Sequence, residues 1–170
     1  MSKRISIAIL GLVNDWKRFN SKIFLQKFLF FLNDLNWKKI QLNFELYYHG
    51  PYDSNVEGYL QSYSKLSLVS IYKNGLNTII ETNQGNIMKY YESIGGEPKS
   101  NKFDDKLEYK VLDVFNELKE LNYIGLFSSI HFIITDKMLF KRTIINDNLI
   151  QWKGNQNSIE LQYLWRILIE

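Results

Sequence analysis

The sequence predicts an α+β fold that is mostly helical, and three observations carry that expectation. Apolar residues recur at helical spacing in several segments, most clearly Val56, Tyr59, Leu60 and Tyr63, which fall at i, i+3, i+4 and i+7 and so share one face of a helix. Asn74-Gly75 stands between two β-rich segments, the strongest short-range signal for a hairpin. The chain of 170 residues is 45% hydrophobic and 15% aromatic, enough to bury one good core or two small ones sharing a face. Read in order, helix, strand, turn, helix and hairpin give a winged-helix-like N-terminal part whose hairpin is the wing, followed by a helical C-terminal extension.

Ile5 to Val13 is the first core helix. Met1-Ser-Lys-Arg has the basic start of a signal peptide, but the apolar run is short and lacks a small-residue cleavage site. Asn20 or Ser21 caps the second helix. There Ile23, Phe24, Leu25, Phe28 to Leu32 are apolar, while Lys22, Gln26 and Asn33, with Lys27 and Asp34 beside them, are expected to form one narrow polar side. Leu42 to Tyr48 alternates as a strand, which Gly50-Pro51 ends with a turn. Asp53 or Ser54 caps the third helix, leaving Asn55, Glu57, Gly58, Gln61, Ser62 and Lys65 outside. Leu68 to Tyr72 and Leu76 to Glu81 form the hairpin, with Asn74-Gly75 as a type I′ turn. Thr82 caps a further helix containing Met88, Tyr90 and Tyr91.

Gly95-Gly96-Glu97-Pro98-Lys99-Ser100 reads as a linker. It divides residues 1–94 from a helical extension, 103–170, packed on them as one compact unit. In the extension Leu107, Val111, Leu112, Phe115, Leu118 and Leu121 follow a helical period, Phe127 to Thr135 is strongly apolar, and Ile159 to Ile169 is an amphipathic helix.

The chain has no cysteine, which removes disulfides and thiolate metal sites and fits a reducing cytoplasm. No apolar run approaches the roughly 18 to 20 residues that span a bilayer, so a soluble cytoplasmic protein without a membrane partner is expected. The net charge of +3 is uneven: residues 1–40 hold eight Lys/Arg and two Asp/Glu, residues 41–125 eight and twelve, residues 126–170 five and four. A basic N-terminal third could meet phosphate or an acidic protein, or simply be solvated lysines around a buried helix.

Catalytic patterns are sparse. The two histidines, His49 and His131, have no second histidine at i+3 or i+4 to share a metal. His49 is read as bonding backbone near a turn and His131 as a satisfied core residue. Glu108 to Lys110 after Asp104-Asp105 resembles a nuclease arrangement, but that chemistry needs carboxylates on adjacent strands around Mg²⁺. Here they lie at a predicted helix start, where acids complement the helix dipole. Gly95-Gly96 lacks the Lys-Ser/Thr of a phosphate-binding loop. No catalytic residue, metal or cofactor is expected.

Leu25-Gln26-Lys27 on a Phe- and Leu-rich helix, His49-Gly50-Pro51-Tyr52 after a strand, a capped helix and Leu68-Val69 opening the hairpin together resemble the YwgA-like proteins. More distantly they resemble the Panacea (SocA-like) antitoxin domain. The resemblance covers residues 5 to about 82 and implies a winged-helix-like module of toxin-antitoxin and phage-defence settings that acts by binding other proteins. Phe28, Phe30 and Phe31 stand where such proteins commonly carry small residues.

Two uses of this module compete. A DNA-recognition helix needs Lys/Arg for phosphate and Arg, Lys, Asn or Gln for bases, yet residues 53–66 hold two acids and one base. Nucleic acid would therefore have to use Lys17, Arg18, Lys22, Lys27, Lys38 and Lys39, with Lys3 and Arg4. Tyr47, Tyr48, Tyr52, Tyr59, Tyr63 and Tyr72 exceed what one core can hold, and tyrosine suits interfaces. The favoured expectation is a non-enzymatic module binding a protein, a toxin or defence effector, through Tyr48, His49, Pro51, Tyr52, Asn55 and Tyr72. A winged-helix transcription regulator is the runner-up.

Overall fold

The computed structural model describes residues 3–19, 21–35, 37, 40–95, 111 and 124–137. It is α+β, as expected, with five helices and two small antiparallel sheets among those residues. Helix α1 (Lys3–Trp16) leads through the two-residue strand β1 (Arg18–Phe19) to α2 (Lys22–Asp34). A hairpin of β2 (Glu45–Tyr47) and β3 (Gly50–Tyr52) precedes α3 (Ser54–Lys65), and a second hairpin, β4 (Val69–Asn74) and β5 (Asn77–Thr82), precedes α4 (Gln84–Ser93). Helix α5 (Ile124–Lys137) follows later in the chain.

Local chemistry explains the element ends. Ser21 caps α2, its hydroxyl accepting from the Phe24 amide at 3.3 Å, and Asp53 caps α3, accepting from the Asn55 amide at 2.6 Å. Helix α3 closes with Ser67 at φ 55°. The Leu68 amide donates to Tyr63 O and the Ser67 amide to Ser64 O, the paired bonds of a Schellman end, with serine where glycine usually stands.

Several boundaries differ from the sequence reading. The first helix runs three residues beyond Val13 and strand β1 was not foreseen, being too short to show alternation. It lies on the outer edge of the sheet, order β1-β5-β4, with Arg18 opposite Glu81 and Phe19 opposite Ile80. Asn74 pairs with Asn77, so the turn residues are Gly75 and Leu76. Gly75 alone has positive φ, 60°, which fits a type II′ turn rather than the type I′ turn expected. Asn83, not Thr82, caps α4, accepting from the Asn86 amide, while Thr82 ends β5.

The first hairpin is the largest difference. Gly50-Pro51 does not end the strand; the turn is Tyr48-His49, and Gly50 to Tyr52 is itself a strand. Tyr47 opposes Gly50, Leu46 opposes Pro51 and Glu45 opposes Tyr52. Because hydrogen-bonded and non-hydrogen-bonded pairs alternate outward from a two-residue turn, Pro51 falls at a non-hydrogen-bonded pair and its missing N–H leaves no gap.

The core gathers Ile9, Leu12 and Val13 of α1, Leu25, Phe28 and Leu29 of α2, Val56 and Leu60 of α3, and Ile80 of β5. Trp16 packs on Phe28 at 5.0 Å between ring centroids. Tyr59 and Tyr63, counted above among surplus tyrosines, are core residues. Helix α5 packs against α2, with Phe31 stacked on Phe127 at 5.6 Å and Phe30 tilted against Phe132 at 6.0 Å. The expected linker beyond Gly95, the residues around Asp104 to Lys110, and the helix from Ile159 lie outside the described residues. No helix among the described residues is long and apolar enough to cross a membrane.

Candidate docking groove

The polar side expected on α2 is solvated only toward its ends, where Asp34 is exposed and Lys22 and Asn33 are half-buried. Gln26 and Lys27 are each 2% exposed, and they bond the outer edge of β3. Gln26 Nε2 donates to Asp53 O and Gln26 Oε1 accepts from Asp53 N, both at 3.1 Å. Lys27 Nζ donates to Pro51 O. On an edge strand, alternate residues turn their backbone groups away from the paired strand and must find other partners. Two side chains of a helix here take the place of a neighbouring strand.

Asn33 continues the arrangement, its amide oxygen accepting from Leu42 N at 2.8 Å. Asp53 also accepts from Asn43 N at 2.6 Å through its second carboxylate oxygen. Leu25-Gln26-Lys27 is thus a clamp: leucine faces the core while glutamine and lysine fix the chain around Gly50 to Asp53.

Between the start of α2 and this hairpin lies a groove of about 390 Å³, lined by Lys22, Ile23, Gln26, Lys27, Tyr47, Tyr48, His49, Gly50 and Tyr52. That size is within the range of small-ligand and anchor-residue pockets. Its rim is exposed and apolar: Tyr48 is 62% exposed, Tyr47 51% and Ile23 46%. Tyr47 and Tyr52 meet edge to face at 5.2 Å, and Tyr48 meets His49 at 5.0 Å. Burial, and then the nearby Glu57 carboxylate, push the Tyr52 hydroxyl pKa up.

The groove brings together three of the six expected contact residues, Tyr48, His49 and Tyr52. Pro51 is buried and presents no surface, because it faces inward with Leu46. Asn55 is exposed on the first turn of α3, outside the lining. Tyr72 belongs to the other sheet, where its hydroxyl donates to Glu81 at 3.2 Å. Ile23 is the groove residue that periodicity misplaced in the core, since a helix's first turn can project past the core its later turns bury.

The expected basic face is corrected in part. Lys27 is buried and cannot meet a phosphate, and Lys22 lies 2.6 Å from Glu57. Lys17 is exposed at φ 59°. The Arg18 backbone pairs with Glu81, while Lys38 and Lys39 lie outside the described residues. The acidic argument changes as well: Asp53 is 1% exposed beneath its amide partners, so it does not face outward from α3.

His131 is not a core residue. It is partly exposed, bonds Asp34 at 2.8 Å and packs against Phe31, joining α5 to the end of α2. Among the described residues no group of three or more His, Cys, Asp or Glu could hold a metal ion. The described residues form an α+β module with an aromatic-lined groove. Compared with protein-family models and with curated proteins, the chain matches none.

Proposed function

We propose that this chain is a non-enzymatic cytoplasmic module that binds another protein, of the antitoxin or phage-defence and anti-defence kind, through the groove between α2 and the first hairpin. The observation that carries the reading is the exposed apolar rim of Ile23, Tyr47 and Tyr48 around a pocket whose walls are fixed by buried side-chain bonds. A rigid aromatic surface loses little entropy when covered, and central tyrosines of interfaces are worth about 2 kcal/mol or more, roughly thirtyfold in affinity.

Co-purification with the native partner tests it. Tyr48→Ala and Tyr52→Ala are expected to weaken capture at least tenfold, while Lys17→Glu with Arg18→Glu leaves it intact. The opposite pattern, in variants with unchanged circular dichroism, sinks the reading.

The runner-up is a winged-helix DNA-binding regulator. It is supported by the connectivity α1-β1-α2, then α3 and a hairpin, with β1 added beside β5. The exposed residues of α3 are nevertheless poor in cations: of Ser54, Asn55, Gln61, Ser64 and Lys65, only Lys65 at its end is basic. Without phosphate contacts, duplex binding should stay no tighter than the micromolar range at physiological salt. Nanomolar binding to the protein's own upstream DNA, reduced by Asn55→Ala or Gln61→Ala, would favour the regulator instead.

A further inference from the structure

We infer that the outer edge of β4 is a self-association surface, on which a second copy of this chain pairs its own β4 antiparallel about a two-fold axis at Tyr72. This edge shares no residue with the groove and stands whether or not the groove docks a protein. Strand β4 ends the sheet order β1-β5-β4, so one side of it has no neighbouring strand among the described residues. Counting outward from the Gly75-Leu76 turn, Asn74, Tyr72 and Ser70 exchange backbone bonds with β5, which leaves the N–H and C=O of Ile71 and Lys73 pointing away from it. No described residue bonds them, and Ser70, Tyr72, Lys73 and Asn74 around them are exposed. Such an edge is a template for another strand. The usual guards are few: β4 pairs with β5 in unbroken register without a bulge, it contains no proline, and Lys73 is its one charge.

A second copy fits this edge at both ends. In an antiparallel pair centred on Tyr72, Ile71 of each copy opposes Lys73 of the other and the two exchange both backbone bonds, with no like charges directly opposed. Tyr72, 40% exposed, faces its own copy at a non-hydrogen-bonded position, where aromatic pairs stabilise a sheet. Leu76 and Leu68 stand four residues either side of Tyr72. The same pairing therefore carries the hairpin turn of one copy, with its fully exposed Leu76, to the corner where the other copy's β4 begins. That corner holds a recess of about 440 Å³ lined by Leu66, Ser67, Leu68, Asn86, Lys89 and Tyr90, and Leu66 is itself 55% exposed. An apolar knob at one end of the strand and a recess at the other are what a two-fold axis matches twice. An unrelated strand would use the edge without the knob and recess together.

Sedimentation equilibrium of the full chain over a range of concentrations tests it, and the weight-average mass is expected to rise from monomer toward dimer. Lys73→Pro removes an outward N–H without costing the hairpin a bond, since Lys73 and Thr78 form a non-hydrogen-bonded pair. It should weaken the dimer at least tenfold, while Lys73→Ala, which keeps the N–H, leaves the dimer standing. Leu76→Asp, at a fully exposed turn residue, should weaken it as much with a melting temperature near that of the parent, and carries the test if Lys73→Pro unfolds. The chain has no cysteine, so Tyr72→Cys gives a single thiol. Across the two-fold its Cα lies about 4.5 Å from its copy, within disulfide reach. Oxidation should cross-link it at least ten times faster than Ser70→Cys, whose thiol opposes Asn74. A monomer at every concentration up to about 1 mM overturns the inference and leaves the edge to a strand of a different protein. A dimer indifferent to Lys73→Pro and Leu76→Asp overturns it too, as does one that Ser70→Cys cross-links as fast as Tyr72→Cys.

Discussion

Tyr63 carries a hydroxyl almost out of water, donating to Ser6 O at 2.5 Å. Burial pushes its pKa well above the ordinary value of 10, the Ser6 hydroxyl opposing this only in part. The folded state therefore holds the phenolic proton more tightly than the unfolded chain does. Such a group contributes its full stability below the unfolded pKa of about 10, and the contribution drains away as pH rises above that value. Tyr91, also raised by burial, then by Asp15, adds to the same trend. Urea titrations from pH 7 to 11.5 should show stability falling from about pH 10 upward. Tyr63→Phe should lower stability at pH 7 by about 1–2 kcal/mol, through loss of the hydroxyl's bonds to Ser6, and flatten the alkaline fall. An alkaline slope equal in the variant and the parent would refute this account of the residue.

At the scale of elements, the joint between α2 and β3 is the feature most exposed to test. Gln26→Leu puts an apolar side chain of similar bulk in its place but leaves the Asp53 N–H and C=O without their partner. Unsatisfied buried groups cost about 1–3 kcal/mol each, so the variant should lose several kcal/mol in chemical denaturation. A loss below about 1 kcal/mol would mean that water or a rearranged backbone replaces the amide.

This joint also marks where the sequence was legible and where it was not. Helix α3 could be read closely, because Val56, Tyr59, Leu60 and Tyr63 all face one core and Asp53 caps it in the expected way. The β4-β5 hairpin was legible to within one residue of its turn. The role of α2 was not, because helical periodicity sorts residues by polarity, and Gln26, Lys27 and Asn33 are polar residues whose partners lie inside the fold. Only the distant chain at Leu42 to Asp53 reveals why they are there. The Gly-Pro pair misled for a related reason: proline reads as a breaker unless the pairing register is known. For the groove, the turn tyrosines were visible as an aromatic surplus, but Ile23 looked like one more core residue.

At the scale of the molecule, α5 is seated against the hairpin through residues that leave almost no space. A Cβ at Gly50, which has φ 93°, would come within 2.9 Å of Gly125 O and of the Ser128 hydroxyl, and within 3.0 Å of the Ser129 hydroxyl. Gly125 in turn faces the His49 carbonyl. Gly50→Ala thus combines a left-handed backbone, about 1–2 kcal/mol for an L-residue, with overpacking of about 1–3 kcal/mol. The variant is expected to melt lower and, on the proposed function, to lose affinity for the partner as well, since Gly50 also lines the groove. Normal melting with full affinity would show that α5 can draw back without disturbing the groove.

The clamp on Asp53 has one more consequence, visible in time rather than in space. Its amide proton is held by a side chain of α2 and not by a ladder of backbone bonds, so solvent deuterium can reach it only when helix and hairpin part. Exchange at that single amide is therefore a clock for the breathing of the groove. An occupant that grips both walls should slow it in proportion to the occupied fraction, while exchange at the Leu68 amide, bonded to Tyr63 O at the far end of α3, keeps its own pace.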